Sequence, residues 1–123
     1  GAPPYLARLA TRLYAQSGHV DKGLALAQAL VDSADNPESR AAFERRVMEL
    51  ELERSLQTVD AALRTFEARE GRPAVSVEEL LVKNDLPRVP IDPFEGVIYI
   101  GGDGLSHSTS SERRLAAYEF EKD

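Results

Sequence analysis

Two histidines, a scatter of loop carboxylates and one pair of arginines are the residues with which this chain could do chemistry. His19 falls in a turn between two predicted helices and His107 in a predicted strand. Neither is expected to have a fixed Asp, Glu or Ser neighbour that would build a proton relay. With no cysteine and no His-x-x-x-His pair, a zinc site is not expected. Gly101-Gly102-Asp103-Gly104 is glycine-rich but follows a strand and lacks the Lys and helix of a phosphate loop. It reads as a turn that needs positive φ. The Ser and Thr residues at 106–111 read as edge strand and loop. Arg8 and Arg12 stand one helical turn apart, with Tyr5 and Gln16 at the flanking turns, clear of Leu6, Leu9 and Leu13. Two guanidinium groups so spaced can hold a carboxylate or an acidic peptide through paired hydrogen bonds. The chemistry expected is therefore binding, without catalysis, cofactor or metal.

Composition supports that direction. The 123 residues are 42% hydrophobic, enough for one small domain or two half-domains sharing a core. A net charge of −6 leaves no surplus of cations to displace counterions from nucleic acid, so nucleic-acid binding is not expected. No stretch is long and apolar enough to predict membrane insertion. The opening Gly1-Ala2 is expected to mark a truncated N-terminus, with further repeats or a targeting segment upstream.

The elements that must position these residues follow from periodicity. Pro3-Pro4 can open a helix whose apolar stripe is Leu6, Leu9, Ala10, Leu13 and Tyr14, ending at Gly18. Val20, Leu24, Ala27, Val31 and Ala34 mark a second helix, widened by Leu26 and Leu30. Gly23 in its interior predicts close packing against the first. A third helix runs without a break from about Pro37 to Glu70, capped by Asn36 and stopped at Gly71, and would be roughly 50 Å long. Phe43, Val47 and Leu50 share one face of it. Met48, Leu52, Leu56, Val59, Leu63 and Phe66 lie almost opposite, so the helix is expected to bridge two modules.

Ser76-Val77-Glu78-Glu79 is a capping box, with Glu79 expected to reach back to Ser76, opening a short helix through Val82. Asn84-Asp85 ends it. Pro87, Pro90 and Pro93 hold an extended connection. Val97 to Ile100 and Leu105 to Thr109 are predicted strands of one hairpin. The last residues, 110–123, are expected to add a helix carrying Leu115, Tyr118 and Phe120. The fold class is therefore mainly α with a small β-hairpin. Its segments are a helical hairpin at 1–37, a long bridging helix at 38–70, a helix-plus-hairpin module at 71–109 and a tail at 110–123.

Tyr14, Gly18, Asp21, Gly23, Leu24 and the closing Pro37 give residues 4–37 a pattern that resembles a tetratricopeptide repeat. It departs from the family at Ala7, where a large aromatic is preferred, and at Thr11 and Ala27, usually Gly and aromatic. The resemblance implies that the first helix lines a concave protein-binding groove through Tyr5, Arg8, Arg12, Ala15 and Gln16. Residues 59–109 resemble the soluble part of a type II secretion major pseudopilin or type IV pilin. The pattern lies in Gly71-Arg72-Pro73, Glu79-Leu80, Leu86-Pro87, and Pro90-Ile91-Asp92-Pro93-Phe94 with Gly96 and Tyr99. Glu95 interrupts it, and Glu51, Glu53 and Arg54 stand where a pilin has its apolar polymerising helix. The resemblance implies that Asp92, Pro93, Phe94, Gly96 and Tyr99 shape a structural turn and strand.

Some pseudopilins hold calcium in loops near their hairpin, and Asp85, Asp92, Glu95 and Asp103 are oxygen donors of the right kind. Their spacing is irregular, so Asp92 is read as pinning the Pro-rich turn through backbone N–H groups instead. Together the resemblances imply a noncatalytic scaffold that binds another protein or an acidic peptide segment. It would serve a bacterial envelope, pilus or secretion-associated assembly, on the periplasmic side. The alternative is a divergent pilin-like subunit that packs through its hairpin.

Overall fold

The computed structural model describes residues 4–16, 18–111 and 114–115, and the side chains of residues 4–8 and 16 lie outside that description. Helices α1 (Pro4–Gln16) and α2 (Val20–Asp32) form a hairpin, followed by the long α3 (Pro37–Glu70) and the short α4 (Val77–Val82). Strands β1 (Ile98–Ile100) and β2 (Ser106–Ser108) pair antiparallel, with Ile98 opposite Ser108, Tyr99 opposite His107 and Ile100 opposite Ser106. The fold is mainly helical, as the periodicity predicts. The chain divides into two compact units with the boundary inside α3, between Arg54 and Ser55.

The first unit is built on the α1–α2 hairpin and the first half of α3. Its core is Ala15, Val20, Ala27 and Leu50, with Leu24, Val47 and Leu115 packed against it. Gly23 explains how close the helices come. A Cβ there would lie 3.2 Å from the Thr11 carbonyl oxygen and 3.3 Å from both Tyr14 Cβ and Leu50 Cδ2. That approach selects small residues at the contact and corrects the predicted stripe of α1. Thr11 and Ala15 are buried, while Leu9 and Leu13, expected inside, are 46% and 52% exposed and Tyr14 is also exposed. Asn36 caps α3 as expected, its Oδ1 accepting from the Ser39 N–H at 2.8 Å.

The second unit is built on the rest of α3, α4 and the β-hairpin. Leu56, Val59, Leu63 and Phe66 of α3 are buried, as are Val77 and Leu80 of α4 and Ile98 of β1. Gly71 closes α3 with φ +76, and its N–H donates to the Glu67 carbonyl at 2.9 Å. Ser76 caps α4, accepting from the Glu79 N–H at 3.2 Å. The other half of the predicted box differs: Glu79 Oε1 accepts from the Val75 N–H, not that of Ser76. Arg72 explains the offset, since its Nη2 lies 2.5 Å from Glu79 Oε2 and holds the carboxylate back toward the preceding loop.

The predicted C-terminal helix falls mostly outside the described residues, Tyr118 and Phe120 included. Arg114 and Leu115 are described and belong to no helix.

Candidate functional site

The Asp92 turn shows how the second unit uses its polar residues. Asp92 Oδ1 accepts from the Phe94 N–H at 2.7 Å, and Oδ2 accepts from the Gly96 N–H at 3.2 Å. Oδ2 also accepts from the Ser110 hydroxyl at 2.6 Å and from the Ser108 hydroxyl. Burial pushes the Asp92 carboxyl up, but the bonds from Ser108, Ser110, Phe94 and Gly96 outweigh it and hold the group below its usual range. Gly96 is required here, because a Cβ would sit 2.6 Å from both Asp92 Oδ2 and Ser108 Oγ. Pro93 and Phe94 are half-buried beside it. The backbone-pinning role expected of Asp92 is thus present, and its oxygens are taken up by four protein donors.

Asp92 is joined by a second buried carboxylate that sequence reasoning missed. Asp60 Oδ1 accepts from the Ser106 N–H at 2.8 Å. The Ser106 hydroxyl lies 2.8 Å from both Asp60 Oδ1 and the Leu56 carbonyl oxygen. Residues 106–111 are edge strand and loop as expected, but the strand's serines face inward: Ser106 and Ser108 are both buried. The signal was Asp60 itself, a charge beside the apolar stripe of Leu56 and Leu63.

With serines turned inward, the other face of the hairpin carries the larger side chains. Tyr99 is 45% exposed and Val97, two positions earlier on the same face, is 65% exposed. His107 stands opposite Tyr99, with ring centroids 5.9 Å apart. Its Nε2 lies 3.0 Å from both carboxylate oxygens of Asp103. This corrects the expectation that His107 has no fixed acidic neighbour; the turn returns Asp103 to the strand. The Leu105 N–H and His107 together hold the Asp103 carboxyl below its usual range. Gly101 makes room for the pair, since a Cβ there would meet His107 Cδ2 at 2.5 Å.

The remaining loop acids do not converge on a cation. Asp85 takes a bidentate pair from Arg69 at 2.8 and 2.9 Å, and Asp103 faces His107. Glu95 stands in the turn closed by its N–H on the Asp92 carbonyl, with φ +66. Among the described residues no group of three or more His, Asp or Glu is placed to hold a metal ion.

On α1, Arg12 is half-buried and Ala15 is buried in the core, so Ala15 is not on an open groove. The side chains of Tyr5, Arg8 and Gln16 lie outside the described residues. Among the described side chains of α1, Leu9, Leu13 and Tyr14 are exposed large hydrophobics, and the two leucines, one turn apart, follow Arg8 and Arg12 in sequence. No protein family, curated protein or solved structure matches the chain. Among the described residues no helix is long and apolar enough to cross a membrane.

Proposed function

We propose that this chain is a noncatalytic protein-interaction module of the helical-repeat type. Its place would be a bacterial envelope, pilus or secretion-associated assembly on the periplasmic side, and its outer α1 face would take an acidic segment of another protein. One observation carries the reading: α1 buries its small residues in the hairpin and leaves Leu9 and Leu13 exposed on the other side. Leucines one turn apart, each preceded in sequence by an arginine, suit an amphipathic partner with apolar anchors and acidic flanks. An array of acidic peptides, with and without a free C-terminal carboxylate, tests it. Binders should be lost in the Arg8→Glu, Arg12→Glu double variant, with helical circular dichroism retained, and kept in Tyr99→Ala. An array without acidic binders, or binders that survive the double reversal, would sink the proposal.

A second reading has its own support. The hairpin turns Val97, Tyr99 and Leu105 outward while its serines face in, which suits a pilin-like subunit packing through this face. Loss of self-association or partner binding in Tyr99→Ala, with the arginine reversals silent, would favour it.

A further inference from the structure

The β-hairpin has two edges, and the protein occupies only one of them. On β2, the Ser106 N–H donates to Asp60, and the Ser108 carbonyl oxygen accepts from the Ser111 N–H at 3.2 Å. β1 differs. The N–H groups of Gly101 and Thr109 donate to the carbonyl oxygens of Leu105 and Val97. Antiparallel ladders alternate, so Tyr99 and His107 form the hydrogen-bonded rung between those two. The N–H and C=O groups of Ile98 and Ile100 therefore point away from β2, and among the described residues no hydrogen bond reaches them. Ile98 is buried and Ile100 partly exposed, so this edge opens toward the turn at Gly101.

We propose that the open edge of β1 takes an extended segment of another protein as an added strand, apolar in its middle and basic at both ends. The inference goes beyond the α1 reading and does not depend on it, and it uses the edge of the hairpin, not its outer face.

An edge strand is a template for pairing, and proteins usually blunt it with charge, proline or a bulge. From Gly96 to Gly102 this chain carries no charge and no proline. An added strand would take its hydrogen bonds from the outward groups of Ile98 and Ile100, and every second side chain would lie beside exposed Val97 and Tyr99. The ends set the charge of the occupant. Glu95 precedes β1 and is exposed, with no side-chain hydrogen bond among the described residues. Its φ of +66 would suit glycine better, so the backbone is not what calls for a carboxylate there. Asp103 follows β1, and its side chain is 51% exposed. Basic residues at both ends of the incoming strand complement these two acids. The same acids disfavour a second copy of β1, because an acid would meet an acid at both ends whichever way that strand ran.

The test uses the full chain and the fluorescent peptide Lys-Thr-Val-Thr-Val-Thr-Val-Thr-Lys, read by anisotropy at low salt. Binding should saturate. It should weaken at least tenfold when glutamates replace the two end lysines, and Glu95→Lys should shrink that preference. Peptides N-methylated on the valines or on the threonines should differ at least tenfold, because only one set of amides faces β1. Ile100→Pro should also weaken binding at least tenfold, since proline removes an outward N–H and leaves the rungs to β2 intact. The Arg8→Glu, Arg12→Glu variant should bind the peptide like the wild type, which separates this result from that of the α1 face. No saturable binding, equal binding of the two methylated peptides, or indifference to end charge would each overturn the proposal. So would a wild-type dimer that the peptide dissociates, because the occupant would then be a second copy. If Ile100→Pro fails to fold, the methylated pair decides, since it leaves the protein unchanged.

Discussion

Asp92 ties two backbone amides and two serine hydroxyls to one carboxylate, so the turn and the end of β2 stand or fall together. Asp92→Asn keeps the shape but turns one acceptor into a donor facing other donors. By the worth of hydrogen bonds to charged groups, it should lower stability by about 2–3 kcal/mol, read from the urea midpoint at unchanged slope. The pinning was legible, because Asp before a proline-rich turn commonly bonds the amides two and more residues on. The serine partners were not, because a Ser-His-Ser strand does not say which side faces the core when the polar side is the buried one. Buried Glu53 was hidden for a similar reason: the Arg114 guanidinium from which it accepts lies sixty-one positions away. Glu79 gives the clearest pH effect at this scale. Hydrogen bonds from Arg72, then from the Val75 N–H, hold its carboxyl down to about 2 from an ordinary 4.5. A carboxylate with a depressed folded pKa contributes stability above its unfolded value and loses it as pH falls toward the folded one. Thermal midpoints should therefore decline between about pH 4.5 and 2. In Glu79→Gln that decline should be shallower; an unchanged slope would show that the Arg72 pair does not persist in solution.

At the scale of elements, the start and stop signals were the readable part. Pro37, Asn36 and Gly71 bounded α3 because each does something local: fixing φ, accepting an N–H, or taking positive φ at the end. Ser76 did the same for α4, and Ser76→Ala should lower stability by about 1 kcal/mol. A midpoint that does not move would mean that the Glu79 carboxylate and Arg72 alone set the start of the helix. The face of α1 was misread because a stripe counts only apolar residues. The contact with α2 is set by distance, and at Gly23 the backbones come too near for leucines, so Thr11 and Ala15 lie between them. Position 23 itself carried that information, since an interior helical glycine has little other reason to be there. Gly23→Ala should shift the hairpin, because its Cβ meets the Thr11 backbone oxygen at 3.2 Å, which has less freedom to move than a side-chain tip. The expected readout is a lower melting temperature. A higher one would mean that α1 shifts freely and only the helix propensity of alanine is felt.

At the scale of the molecule, α3 is the one described element that runs through both compact units, with Leu50 in the first and Leu63 in the second. The sequence signalled this through two apolar sets on one unbroken helix, a pattern that a helix with one partner has no reason to carry. It could not signal that the chain returns to the first unit at Arg114, because an arginine next to Arg113 and Glu112 reads like any solvated charge. A helix shared by two cores couples them only as far as its own backbone transmits the loss of a side chain. Leu50 is fully buried and Leu63 nearly so, so each change to alanine should lower stability by about 2–5 kcal/mol. The location of the loss is the sharper test. Leu50→Ala opens a cavity among Ala15, Val20 and Ala27, so native-state hydrogen exchange should quicken in α1, α2 and the first half of α3. Leu63→Ala should instead quicken α4 and the β-hairpin, where Leu80 and Ile98 form part of the buried set. If both variants loosen the same amides to the same degree, the chain unfolds as one cooperative block, and the division inside α3 is geometric without being energetic. If the losses separate, the helix joins two cores that open independently, and a partner that tightens one of them leaves the other as it was.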